Sequence, residues 1–126
     1  MKNTNDIARE VVDSAYQVHT KLGPGLFETV YEVALEHELS KRGFTVQRQK
    51  PIPVHYDGIH FDEGFRADLI VNDSLIVELK SVEKVAKVHK KQLLTYLKMT
   101  GIKLGLLINF GEDLIKDGIF RRANGI

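Results

Sequence analysis

Residues 66–80 read RADLIVNDSLIVELK, two apolar runs that meet at a polar tip, Asn72-Asp73-Ser74. Short runs rich in Leu, Ile and Val, joined by turn-forming residues, specify an antiparallel hairpin. Side chains on a strand alternate faces. Phe65, Ala67, Leu69 and Val71 are therefore expected on one face, with Arg66, Asp68 and Ile70 on the other. In the second run Leu75, Val77 and Leu79 oppose Ile76, Glu78 and Lys80. Apolar face meets apolar face only when paired residue numbers sum to an even number. A three-residue tip does this by pairing Val71 with Leu75, and it sets Asp68 across from Glu78 with Cβ atoms about 4.5–5.5 Å apart. A two-residue tip would scatter the charges over both faces.

Two ionised carboxylates this close repel one another. Three arrangements relieve the repulsion: a shared proton, an ion pair with Lys80 or Arg66, or a bound divalent cation. Hard cations such as Mg2+ take carboxylate and carbonyl oxygens and keep several waters. One held here could polarise a phosphoryl group and supply hydroxide, while Lys80 orients water or balances developing charge. A structural Asp–Lys–Glu cluster at a sheet end accounts for the same residues.

The rest of the chain gives this hairpin a setting. Helical spacing of Ile7, Val11, Val12, Ala15, Val18 and Leu22 predicts a helix from Asp6 to Leu22, stopped by Gly23-Pro24-Gly25. A second helix is expected from Leu26 to Arg42, burying Phe27, Val30, Tyr31, Ala34, Leu35 and Leu39. Phe44–Gln49 reads as a strand, and Pro51-Ile52-Pro53 as a sheet edge or bend. Asp57-Gly58 predicts a two-residue hairpin between 54–56 and 59–61. A helix over 85–100, a buried strand over 104–110 and a short strand over 114–121 complete one mixed sheet with helices packed on it.

Composition narrows the function classes. With 126 residues, 43% hydrophobic and 28% charged, the chain suits one soluble domain. The absence of cysteine excludes disulfides, zinc–thiolate sites and a thiol nucleophile. The polar N-terminus and the shortness of every apolar run argue against a signal peptide or a membrane span, so a cytoplasmic location is expected. Charge is uneven: residues 80–103 carry seven lysines against Glu83 alone. Lys84, Lys87 and Lys91 are expected to share a helix face that meets phosphates, although a solvated face explains such a run equally well. His19 reads as a surface residue, and His55 and His60 as exposed hairpin histidines. His89 sits among lysines, where it reads as a surface residue or a phosphate contact.

Asp68, Glu78-Leu79-Lys80 and the following Gln92…Tyr96 resemble the PD-(D/E)XK nuclease superfamily, the last pair being similar to the QxxxY motif of RecB-type exonucleases. Gly25-Leu26-Phe27-Glu28-Thr29-Val30-Tyr31 resembles the motif of the bacterial and archaeal GxxExxY proteins, a small group within that superfamily. The resemblance implies an α/β fold of the α+β mixed-sheet kind: a restriction-endonuclease-like α-β-β-β-α-β core with an additional N-terminal helix and hairpin. It implies Mg2+ or Mn2+ bound by Glu28, Asp68, Glu78 and the carbonyl of Leu79, with Lys80 catalytic and Gln92 and Tyr96 lining the substrate path. Tyr31 would be half core and half site wall. The implied activity is hydrolysis of nucleic acid, DNA before RNA, with little sequence specificity. A homodimer or a protein partner would supply substrate selection. A catalytically weak nucleic-acid-binding or complex-forming module on the same fold is the alternative, and a structural dimerisation domain a third reading. Ala67 stands where the superfamily motif has proline.

Overall fold

The computed structural model describes residues 3–125. Its elements are α1 (Thr4–Leu22), α2 (Glu28–Lys41), β1 (Val46–Tyr56), β2 (Ile59–Val71), β3 (Leu75–Lys80), α3 (Lys87–Thr100), β4 (Leu104–Asn109), a 3-10 turn (Ile115–Gly118) and β5 (Ile119–Ala123). The five strands form one sheet in the order β1-β2-β3-β4-β5. Only β3 and β4 are parallel, joined through α3, and the other neighbours are antiparallel. This is a mixed α+β architecture consistent with a PD-(D/E)XK nuclease fold.

Each half of the sequence shows why. Asn3 caps α1 by accepting from the amide of Asp6 at 2.9 Å, satisfying a donor that the helix leaves unpaired. Pro51 and Pro53 are tolerated because β1 is an edge strand, so that a missing N–H breaks no inner ladder. The expected strand pieces on either side of Asp57-Gly58 are therefore parts of two long strands. Asp57 and Gly58 turn between them with φ of 47° and 80°, the positive values that a tight hairpin needs. The segment expected as one last strand begins instead with the 3-10 turn.

The core lies in two layers. Residues of α1 and α2, with Leu69, Val71, Leu75, Val77 and Leu79, fill one face of the sheet. Leu93 and Leu97 of α3 pack with Ile52, Ala67, Ile70 and Ile76 on the other. Burying a leucine fully contributes about 1.5–3 kcal/mol, so these layers hold the sheet from both sides. Tyr31 is wholly buried, stacked 4.5 Å from Phe110, and its hydroxyl donates to the carbonyl of Gly23. It is core and not part of a site wall. His19 is also buried, with its Nε2 2.8 Å from the carbonyl oxygen of Glu112, which corrects the surface reading. The stripe expected on α2 is displaced: Phe27 is 85% exposed and Val30 42%, while Glu32 is buried.

The tip of the central hairpin pairs Val71 with Leu75 and Ile70 with Ile76, the expected even register. One part of the alternation fails. Leu69 and Val71 face the α1–α2 layer, but Ala67 and Phe65 face α3. β2 therefore changes face at Asp68. β1 does the same opposite it: Val46 packs with the first layer and Ile52 with the second, across Gln49. The two strands stay in one register on either side, Arg48 with Leu69 and Lys50 with Ala67. The switch sits at the unpaired couple Gln49 and Asp68.

Beyond β3 the chain turns sharply, and Asn109 fixes the turn. Its buried side chain accepts from the amides of Val82 and Gly111, both at 3.0 Å, and donates to the carbonyl of Val82 at 2.9 Å. Gly111 is required there, since a Cβ would lie 2.1 Å from the Val82 oxygen. Asn109→Ala would strand these groups, each left unsatisfied at about 1–3 kcal/mol. We expect urea denaturation to show a loss of at least about 2 kcal/mol, with the folded spectrum retained.

Candidate metal and catalytic site

The backbone ladder between β2 and β3 ends at Leu69 and Val77. Past that point the strands separate, and carboxylates replace carbonyls as acceptors. Glu78 Oε2 accepts from the amide of Asp68 at 2.7 Å, and Asp68 Oδ2 accepts from the amide of Leu79 at 2.9 Å. Asp68 and Glu78 thus stand across from one another, each tied to the other's strand. β3 ends at Lys80, two residues beyond Glu78 and half-buried.

Glu78 is 9% exposed. Burial, then the charge of Asp68, pushes its carboxyl up to about 8, against the opposing pull of the Asp68 amide bond and of Lys80. Lys80 makes no ion pair with it among the described residues, so the salt-bridge solution is not the one adopted. Arg66 pairs with Glu63 instead.

A third carboxylate joins from α2, and it is Glu32. Gln49 donates from its side-chain amide nitrogen to Glu32 Oε1 and Oε2 at 2.9 and 3.1 Å, and to Asp68 Oδ1 at 3.1 Å. Glu32 is held above its ordinary value, first by burial and then by Asp68, while Gln49 and Arg48 oppose the rise. Arg48 lies 3.6 Å from Glu32 Oε1. Glu28, expected to be the helix carboxylate, lies one turn earlier in the exposed first turn of α2 and makes no hydrogen bond or ion pair with Asp68, Glu78 or Lys80 among the described residues. A signal for Glu32 was available: it lies three and seven residues before the buried Leu35 and Leu39, on their helix face. Nothing in the sequence pointed to Gln49.

Tyr96 closes the cluster from α3. Its ring stacks on Phe65 with centroids 3.9 Å apart. Burial raises its phenol first, and the charges of Glu78 and Asp68 add to that, which puts the hydroxyl within their field. Gln92, one turn back, is exposed. Lys87 and Lys91 are exposed on α3, but Lys84 lies before the helix begins and does not share its face. His89 is a capping residue, its Nδ1 accepting from the amide of Ala86 at 3.2 Å. His55 and His60 are exposed on the long hairpin, as expected, and His60 pairs with Asp62.

Among the described residues, no group of three or more His, Asp and Glu side chains is arranged to hold a metal by side chains alone. A mixed set remains: Asp68, Glu78, a backbone carbonyl and water, all hard oxygen donors. Glu78 Oε1 accepts from no protein donor among the described residues. A half-compensated carboxylate pair with an oxygen to spare is chemistry that a divalent cation fits.

The mixed sheet parts at its centre around an acid pair followed by lysine, the arrangement that the resemblance to the PD-(D/E)XK superfamily leads one to expect. The family model of the PD-(D/E)XK nuclease superfamily matches residues 5–122, and the chain belongs to that superfamily. No curated protein and no solved structure matches it. No helix among the described residues is long and apolar enough to cross a membrane.

The raised carboxyl of Glu78 has a measurable sign. Its value in the fold, about 8, exceeds the ordinary 4.5 of an unfolded chain. Between those values the folded state binds more protons, so stability falls as pH rises. Without divalent cations, we expect the melting temperature to drop from pH 5 to pH 8, and Glu78→Gln to flatten that slope.

Proposed function

We propose that this protein is a Mg2+- or Mn2+-dependent nuclease. The observation that carries the reading is the reciprocal Asp68–Glu78 arrangement where β2 and β3 separate, with Lys80 on the same strand end. Asp68, Glu78 and the carbonyl of Leu79 would hold the cation, with Glu32 joining through Gln49. Glu28 stands at the rim of the same helix, a turn from Glu32. When bound, the cation would polarise the scissile phosphate and lower the pKa of a water.

The chain's own groups do the rest. Glu78 must lose its proton to bind, so loading releases a proton and strengthens with pH. Lys80 stands beside the acids with a positive charge to orient water or offset charge that develops on the phosphate. Tyr96, braced by Phe65, offers a hydroxyl toward the pair, and Gln92 an amide one turn away on the same helix. Both would hold the strand to be cut.

Nucleic acid as the partner is supported by charge. The helix α3 has no acidic residue. On its flank Lys87, Lys90, Lys91 and Arg122 line a recess of about 240 Å³, and none of the four has an acidic partner among the described residues. Lys84, exposed in the segment before α3, would add a further positive charge. Such a patch is suited to the backbone of a polyanion read without sequence preference. We take DNA as the first substrate to test, and the Gly25–Tyr31 motif favours the GxxExxY group. Exposed Phe27 and Val30 would suit a second copy or a partner protein. The alternative, a binding module without cleavage, keeps the basic surface and loses the reason for two opposed acids.

Calorimetry with Mn2+ and cleavage of labelled single- and double-stranded DNA and RNA test the reading. We expect Asp68→Ala and Glu78→Ala to abolish both metal binding and cleavage. Lys80→Ala should retain metal binding while cleavage falls about 10²-fold or more. No binding by the native protein at millimolar Mn2+ would leave the binding module as the better account.

A further inference from the structure

Among the described residues Gln49 is one of four non-glycine residues with positive φ, at 53°. The other three, Asp57, Asn72 and Asp73, sit in hairpin tips, where such values are ordinary. Gln49 lies inside a strand. A non-glycine residue held there is strained, and it persists only where the surroundings over-determine it. The ladder is intact immediately before and after it, so the departure is confined to one residue.

That departure has a direct consequence. Regular alternation would place Gln49 with Gln47 on the α3 side, where Gln47 lines a recess together with Ile70 and Met99. The left-handed backbone swings it instead toward α2. Its amide nitrogen comes within 3.1 Å of the carboxylates of both Glu32 and Asp68. A neutral group thereby bridges the two carboxylates through one nitrogen. Arg48 next to it lies 3.6 Å from Glu32 Oε1, an oxygen that Gln49 also holds, and Asp68 is bound on its other oxygen by the amide of Leu79. Every oxygen of Asp68 is thus oriented, one of them by Gln49 alone.

We propose that Gln49 is a positioning residue of the metal site: it couples Asp68 to Glu32 and fixes the carboxylate orientation in which a divalent cation is bound. This rests on the nuclease reading above. Partners of this kind, which orient a ligand without touching the metal, typically change metal affinity 10–100-fold when removed. The strained backbone at this position is the means by which a strand residue reaches a helix carboxylate.

Glycine separates this role from a merely structural one. Gln49→Gly relieves the backbone strain, since glycine adopts positive φ readily, but removes the amide. Gln49→Ala removes the amide and keeps the strain. Mn2+ affinity would be measured by calorimetry for both variants and for the native protein, with melting temperature as the check on folding. We expect both variants to bind Mn2+ at least 10-fold more weakly, Gln49→Gly while melting no lower than Gln49→Ala. Affinities within twofold of the native protein for Gln49→Gly would overturn the proposal and leave the nuclease reading standing. Absence of Mn2+ binding by the native protein would overturn both.

Discussion

The parting of β2 and β3 after Leu69 and Val77 is the constraint on which the site depends. Strands that stay paired satisfy their backbone amides with carbonyls. Here the amides of Asp68 and Leu79 take carboxylates instead, so the acids are held rigidly by main-chain groups and not by flexible partners. The face switch at Gln49 and Asp68 happens at the same level. It lets the outer hairpin pass beneath α3, and it brings a helix carboxylate from one layer and a tyrosine from the other to one point. Phe65 stacks on Tyr96 only because β2 has already changed face.

Such an arrangement is unfavourable for the fold taken alone. A buried carboxylate with a like-charged neighbour would be more stable as glutamine, and a left-handed glutamine more relaxed as glycine. Charged groups are buried where something compensates them, and Lys80, although near, makes no ion pair with Glu78. Local rules of folding are broken in three adjacent places: the acid pair, the strained strand residue and the buried Glu32. Concentrated exceptions of this sort are characteristic of functional sites. On the nuclease reading, the basic flank of α3 would supply what the acids lack, an attraction for a polyanion that they would otherwise repel.

The sequence disclosed the site's centre more fully than its edges. The pairing of Val71 with Leu75 follows from matching the apolar faces of the two runs across the Asn72-Asp73-Ser74 tip. From that alone Asp68 falls opposite Glu78. Alternation assumes an unbroken strand, however, and so it misplaced Phe65 and Ala67 beyond the switch. No glycine marks the left-handed turn at Gln49, so composition carries no trace of it. On α2 the apolar Phe27 and Val30 suggested a buried stripe, yet the helix begins at Glu28 and rolls Glu32 inward. Helical period locates a face but does not fix which polar residue on it is sheltered. The burial of His19 depends on the carbonyl of Glu112, 93 residues away, and local pattern cannot anticipate that.

On the nuclease reading the ends of β2 and β3 gather a divalent-cation site. Crystals grown with Mn2+ and measured at an X-ray energy where manganese scatters anomalously would test it directly. The account requires an anomalous peak contacted by Asp68 and Glu78 carboxylate oxygens and by the Leu79 carbonyl, with Gln49 still bonded to Asp68. A well-ordered crystal with no peak there, or with manganese bound only elsewhere on the surface, would contradict it.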